Sequence, residues 1–436
     1  MNKRTFIIIA SIILTVVALA FFIFVPTGIY ESDSNKITKI YYADNLSPAH
    51  EKLIQRFNHE YRNKIEVLPV NLPFTKFSTN ERKELLARTL RSKSNRIDVF
   101  AVDLIWVPRF ARWCYPLDEY MSKAERELFI PNILESCYVG DKLFAMPFYI
   151  DIGLMYYRKD IIGMLPDAAE IENKLRQSIT WEEFIQLNNR FRNLNNPFYL
   201  YSADNFEGLI CSFLEGLASQ NRPFIVGDSV KLDTPEAKKT LALLVNLVHK
   251  YKMTPPVVTK YDEFQCYLYA LKNDGIFLRG WPGFLRHYRH IIKDTTKFHL
   301  LAKAPLPHFK NGRPAFVFGG WNLMISKYSQ KKDAAIQFIK FAQRPENQKM
   351  FFAQGGYLPI MRSVYQDSLM LRREPDLIFY HDLMKNGFHR PYLVNYTKIS
   401  DIVTYFIKLA IKKEISVDEA LKRATLLINA NQVLLK

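Results

Sequence analysis

The stretch MPFYIDIGLMYYRKD, Met146 to Asp160, sets a single carboxylate, Asp151, in a run that is otherwise aromatic and aliphatic until its charged end. As a strand it alternates: Phe148, Ile150, Ile152 and Leu154 point one way, and Tyr149, Asp151, Gly153 and Met155 the other. The first face reads as core. The second pairs a phenol with a carboxylate and then leaves a gap at Gly153. Asp151 has two readings: it faces a ligand, or it pairs with an arginine such as Arg158 or caps a turn.

Upstream of this stretch the chain alternates strand and helix. ITKIYYAD reads as a strand, and SPAHEKLIQRFNHEY as a helix with Leu53, Ile54, Phe57 and Tyr61 on one face. KIEVLPV, a helix from Asn80 to Ser92, and RIDVFAVD follow, the last nearly continuous in apolar residues, as suits a strand buried on both faces. This order predicts an α/β lobe with right-handed crossovers. Ligands gather at the carboxyl ends of such strands, where Asp44 and Asp103 sit; each is either a ligand contact or a helix N-cap. Residues 161 to 300 read as mainly helical. ITWEEF carries a capping box, Thr180 with Glu183, and Thr234-Pro235 opens another helix. GIFLRGWPGF reads as a short buried strand running into a Trp-Pro-Gly turn.

At 436 residues, 48% of them apolar and 24% charged, the chain suits a globular protein of two lobes. The net charge of +17 is scattered as pairs such as Lys238-Lys239, with no basic helix or stacking motif, so nucleic acid is not an expected partner. A solvated surface facing anionic lipid or cell wall fits better. Cys114, Cys137, Cys211 and Cys266 lack the spacing of a zinc or redox site and are expected as free buried thiols. Thr5 to Val25 contains no charged residue and follows Lys3-Arg4, which predicts a membrane-spanning anchor, or a signal, within residues 1–30, with the body outside the cytoplasm. Phosphate-loop, dinucleotide, HExxH and GxSxG motifs are absent, so no cofactor, metal or serine nucleophile is expected. Aromatics make up 14% of residues and cluster beside single polar groups at predicted strand ends. Sugars suit that vocabulary, because rings take their C–H faces while carboxylates and guanidinium groups take the hydroxyls.

Four segments together resemble the family 1 extracellular solute-binding proteins of ABC importers, which include maltose- and trehalose-binding proteins. They are DVFAVDLIWVPRFARWCYPLDEY, ESCYVGDKLFAMPFYIDIGLMYYRKDII, ITWEEF, and FGGWNLMISKYSQKKDAAIQFIKFAQRPENQKMFFAQGGYLPIMRSVYQD. The resemblance implies an α/β, two-lobed periplasmic-binding-protein-like fold of the second type, with a hinge and an interlobe cleft. It implies crossings near Pro147 to Asp151, near Ala304 to Pro307 and after Gln343. Lobe 1 would hold residues 37–149 and 305–343, and lobe 2 residues 150–304 and 344–436. It further implies a carbohydrate ligand, ABC permease subunits as partners, and a monomer. Asp103, Tyr149 and Asp151 would accept sugar hydroxyls, Trp281 would stack on a ring, and Gly320 would let Trp321 approach the ligand. Arg390 would reach in from the C-terminal region, and Asn45 stands where a polar contact is common. The chain departs from the family in lacking a lipoprotein cysteine and in its basic charge, which leaves an anionic ligand such as a sugar phosphate open. Two other functions stay open as well: a ligand sensor coupled to a signalling partner, and a hydrolase using Asp103 and Asp151.

Overall fold

The computed structural model describes residues 37–430 apart from 74, 75, 78, 132, 227 and 228. The expected N-terminal membrane helix lies outside the described residues. Among the described residues no helix is long and apolar enough to cross a membrane.

The strands that build the two main sheets are, in chain order, β1 (Thr38–Asp44), β2 (Ile65–Asn71), β3 (Val99–Asp103), β4 (Met146–Ile152), β5 (Leu154–Arg158), β6 (Tyr199–Leu200), β7 (Phe277–Gly280), β8 (Leu301–Ala304), β9 (Phe316–Ile325) and β10 (Gly387–Phe388). In the first sheet β1 lies between β2 and β3, parallel to both, as the strand–helix alternation predicts. The later strand β9 then joins antiparallel to β3 on one side and β4 on the other, with β10 beside it. All ten residues of β9 are buried, because it sits inside this sheet with packed layers on its faces. The second sheet runs β8-β5-β7-β6, with β5 antiparallel to β7 and β8.

The opening stretch therefore serves both sheets. β4 ends at Ile152 in the first, β5 begins at Leu154 in the second, and Gly153 is the joint; its amide donates to the Val317 carbonyl at 3.0 Å. The alternation expected over 148–155 holds only as far as Ile152. Beyond it both directions are interior, since β5 is the middle of a sheet and all five of its residues are buried. The gap at Gly153 is filled: a Cβ there would lie 2.1 Å from Glu215 Oε1, whose carboxylate binds Arg279. The second passage between sheets follows β8, whose successor β9 returns to the first.

Helices cover the sheets much as the sequence indicates. Pro48–Glu60 buries Leu53, Ile54 and Phe57, and Thr180 with Glu183 forms the expected capping box of Trp181–Asn188. Helix Pro345–Gly355 packs on Pro48–Glu60, while Tyr396–Ile411 packs on Glu207–Ser219 and Pro235–His249. The four cysteines are free and buried.

Candidate functional site

Strand register assembles one wall of the site. In β9, Trp321 lies opposite Asp103 of β3 and also opposite Tyr149 of β4, and opposed residues of antiparallel strands share a face. Three residues far apart in sequence thus form a row. Two places along in β9, Gly319 lies opposite Asp151. Between them Gly320 adopts φ +128°, in the region that favours glycine, and a Cβ there would meet the Tyr149 carbonyl oxygen at 2.5 Å. The lack of side chains at 319 and 320 leaves room beside Asp151 for Trp281, which approaches from the turn after β7. A Cβ at Gly319 would be 3.0 Å from Trp281 Cζ3 and 3.2 Å from Asp151 Cβ.

A cavity of about 900 Å³ opens between the two sheets, and all eight candidate residues line it: Asn45, Asp103, Tyr149, Asp151, Trp281, Gly320, Trp321 and Arg390. A volume of that size holds a small ligand of several rings.

The two cleft tryptophans are built alike. On the first-sheet side Arg82 lies 4.5 Å from the Trp321 ring centre, and its Nη2 donates to Asp44 Oδ1 at 3.1 Å. On the second-sheet side Arg279 lies 4.5 Å from the Trp281 ring centre and is held by two bonds to Glu215, of 3.0 and 3.1 Å. A buried arginine held in an ion pair thus lies over each ring within cation–π range. The Trp281 indole N–H donates to Glu263 Oε1 at 3.3 Å.

Asp44 takes neither of its expected roles. It is buried, accepts from the Tyr42 hydroxyl at 2.6 Å and lies 3.2 Å from His50 Nε2. Burial alone would raise its pKa, but His50, Arg82 and Tyr42 hold the carboxyl below the usual range. Asp103 keeps both. It caps the 3-10 turn Leu104–Trp106 through the Ile105 amide (3.3 Å) and lines the cavity. Its Oδ1 also accepts from Arg390 Nη2 at 2.8 Å, while Arg390 Nη1 donates to Glu207 at 2.8 Å. Tyr396 and Ser400 complete Glu207, at 2.8 and 2.6 Å. Two groups expected to act separately on a ligand, Asp103 and Arg390, therefore bond to each other and tie β3 to helix Glu207–Ser219. Asp103 sits above the usual carboxylate range, mainly from burial, with Arg390 working against that and Glu207 adding to it.

Asp151 differs from both. Arg158, its suggested structural partner, is engaged by Asp160 and Asp274 instead. Among the described residues Asp151 has no hydrogen-bond or ion-pair partner, and burial, then the nearby Asp103 carboxylate, pushes its pKa up to about 8. Tyr149 is 7% exposed, and its hydroxyl likewise has no hydrogen-bond partner among the described residues. Asn45 Nδ2 lies 3.4 Å from His287 Nε2, a contact across the cleft. Burial pushes His287 down to about 3, so the ring is neutral near pH 7.

Sequence reasoning missed Glu207, Glu263, His287 and Arg279. The last had the same signal as Asp151, one charge in an apolar strand, GIFLRG. Glu207 and Glu263 look like ordinary first-turn helix acids.

With this geometry in view, the match to known proteins is specific. The family described as bacterial extracellular solute-binding protein matches residues 43–349, which run from the end of β1 through the Met146–Asp160 stretch, Trp281 and Trp321 to beyond β9. The chain belongs to this family. As a solute-binding protein of the extracellular kind, it works outside the cytoplasm, and its family is one of binding proteins. A probable ABC transporter-binding protein of Deinococcus radiodurans is 27% identical over 352 residues, 79% of this chain and 82% of that protein. Maltose-bound MalE3 of T. maritima superposes with TM-score 0.80 at 26% identity, covering 90% of this solute-binding protein and 100% of MalE3. A solute-binding protein of Agrobacterium radiobacter K84 in complex with ribitol gives TM-score 0.72 at 17% identity, covering 89% and 97% of the two chains. Together these establish the α/β two-lobed periplasmic-binding-protein-like fold.

Proposed function

We propose that this protein captures a saccharide or polyol in the cleft between its two lobes and delivers it to the permease of an ABC importer. The observation that carries the reading is the cavity wall itself: Trp321 and Tyr149 from one sheet and Trp281 from the other, around a carboxylate, Asp151, that no group among the described residues engages. Rings at fixed angles offer flat faces to sugar C–H surfaces, and an unengaged acceptor among them takes hydroxyls in charge-assisted bonds. Maltose in MalE3 and ribitol in the Agrobacterium protein are ligands of the same class.

Lobe 1 comprises residues 37–149 and 305–343 and lobe 2 the remainder of the body in this reading, with Gly153 as the first hinge point. The packing of Pro345–Gly355 on Pro48–Glu60 argues for adding that helix to lobe 1. Closure of the lobes on solute presents a surface to the permease. The charge-free segment Thr5 to Val25 serves as membrane anchor, and the body acts as a monomer. A hydrolase would need a second carboxylate free beside Asp151; Asp103 is instead held by Arg390 and the Ile105 amide. Calorimetric titration against neutral sugars and polyols, with amino acids and peptides as controls, tests the proposal. One-to-one binding of a carbohydrate supports it; silence from every carbohydrate alongside binding of amino acids or peptides overturns it.

A further inference from the structure

The cleft is far more acidic than the protein that contains it. The chain carries +17, yet among the described residues the cavity wall holds seven carboxylates against two permanently basic side chains, Lys260 and Arg390; of the seven, Asp204 pairs with Lys408 and Glu81 also has a partner, which leaves the excess at Asp103, Glu207, Asp151, Asp262 and Glu263. Arg390 is already shared between Asp103 and Glu207, so that triad alone keeps one negative charge. The arginines stacked on the tryptophans do not change the balance, because Arg82 is matched by Asp44 and Arg279 by Glu215. Asp151 has no partner among the described residues, and the hydrogen bond on Glu263 comes from a neutral indole N–H. Tyr149, more than nine-tenths buried as a residue and with no hydrogen-bond partner for its hydroxyl among the described residues, lines the same space. Negative charge removed from water and left uncompensated is costly, and a cation that enters with the ligand relieves that cost.

We propose that the solute carries a protonated amine on its polyhydroxyl frame, as an amino sugar or amino polyol does, and that the ammonium group binds at Asp151 with the Tyr149 hydroxyl beside it. An ammonium group has three donors and no acceptor, which suits an unengaged carboxylate and a phenol oxygen. Burial, then the nearby Asp103 carboxylate, pushes Asp151 up to about 8, so near pH 7 it holds a proton that an arriving ammonium group displaces to form the ion pair; burial likewise pushes Glu263 up to about 7, with Arg279 working against it. The same charge balance rejects a phosphorylated or acidic sugar.

This identification of the amine rests on reading the cleft as a saccharide site, and the test separates the two. The full chain is titrated at pH 7 with matched free-amine and N-acetylated mono- and oligosaccharides of the glucose, galactose and mannose series, and with spermidine. The expected result is that one free-amine sugar binds at least about tenfold more tightly than its N-acetylated partner, and that Asp151→Asn brings the pair within about twofold. Equal or tighter binding of the N-acetylated or unsubstituted sugars overturns the amine inference and leaves the saccharide reading intact. Silence from every sugar with binding of spermidine overturns the saccharide reading and the amino-sugar proposal with it, and leaves only the preference of the cleft for a cation. Silence from all of them contradicts both.

Discussion

Asp151 is a carboxylate to which the described residues offer no hydrogen bond and no counterion. Its ordinary value near 3.8 rises to about 8 in the ligand-free fold, chiefly through burial. The sign of the linkage follows: between these values the native state holds a proton that the unfolded state releases, so this residue lowers stability as pH rises from about 4 to about 8. Asp151→Asn is therefore expected to unfold at higher temperature than the wild type at pH 8, with the gap closing toward pH 4, as scanning calorimetry across that range would record. A more stable wild type at pH 8 would mean that the carboxylate has a structural partner. The same substitution is expected to weaken solute binding by about 1.5 to 3 kcal/mol, a lost charge-assisted hydrogen bond. Gly153 makes the opposite case. Its missing side chain admits Glu215, so Gly153→Ala forces the Glu215–Arg279 pair apart and is expected to cost several kcal/mol, about 3 to 5, in urea unfolding. Asp151 was visible in the sequence because one charge breaks an apolar run. The occupant of the gap at Gly153 was not, since it comes from a helix sixty residues later that no local pattern points to.

At the scale of elements, the first three strands and their helices were legible, because each is a period of two or of 3.6 bounded by its own caps. β9 was not placeable by pattern. Its partners β3 and β4 are chosen by register over separations of about two hundred residues, yet that register creates the Asp103–Trp321–Tyr149 row. The bond between Asp103 and Arg390 spans 287 positions and has the same origin. Its loss should register at this scale, because it ties a strand of the first sheet to helix Glu207–Ser219. Arg390→Met removes the cation shared by buried Asp103 and partly buried Glu207 and is expected to cost about 3 to 5 kcal/mol in denaturant unfolding, with Arg390→Lys intermediate. A change under about 1 kcal/mol would show that the triad is solvated and not structural.

For the whole molecule, two sheets joined at Gly153 and again after β8 leave a large cavity between them among the described residues, and of the candidates drawn from the sequence all but Asp44 line it. The fold was legible from four segments in their order. The acidity of the cleft was not, since a chain of +17 gives no hint that its basic residues lie elsewhere. The most direct measurement is a crystal structure of the protein with its tightest-binding saccharide. The expected result is a solute ring against Trp281, with Asp151 and Tyr149 bonded to its polar groups. A solute bound outside this cavity, or within it with Asp151 and Tyr149 still unengaged, would contradict it.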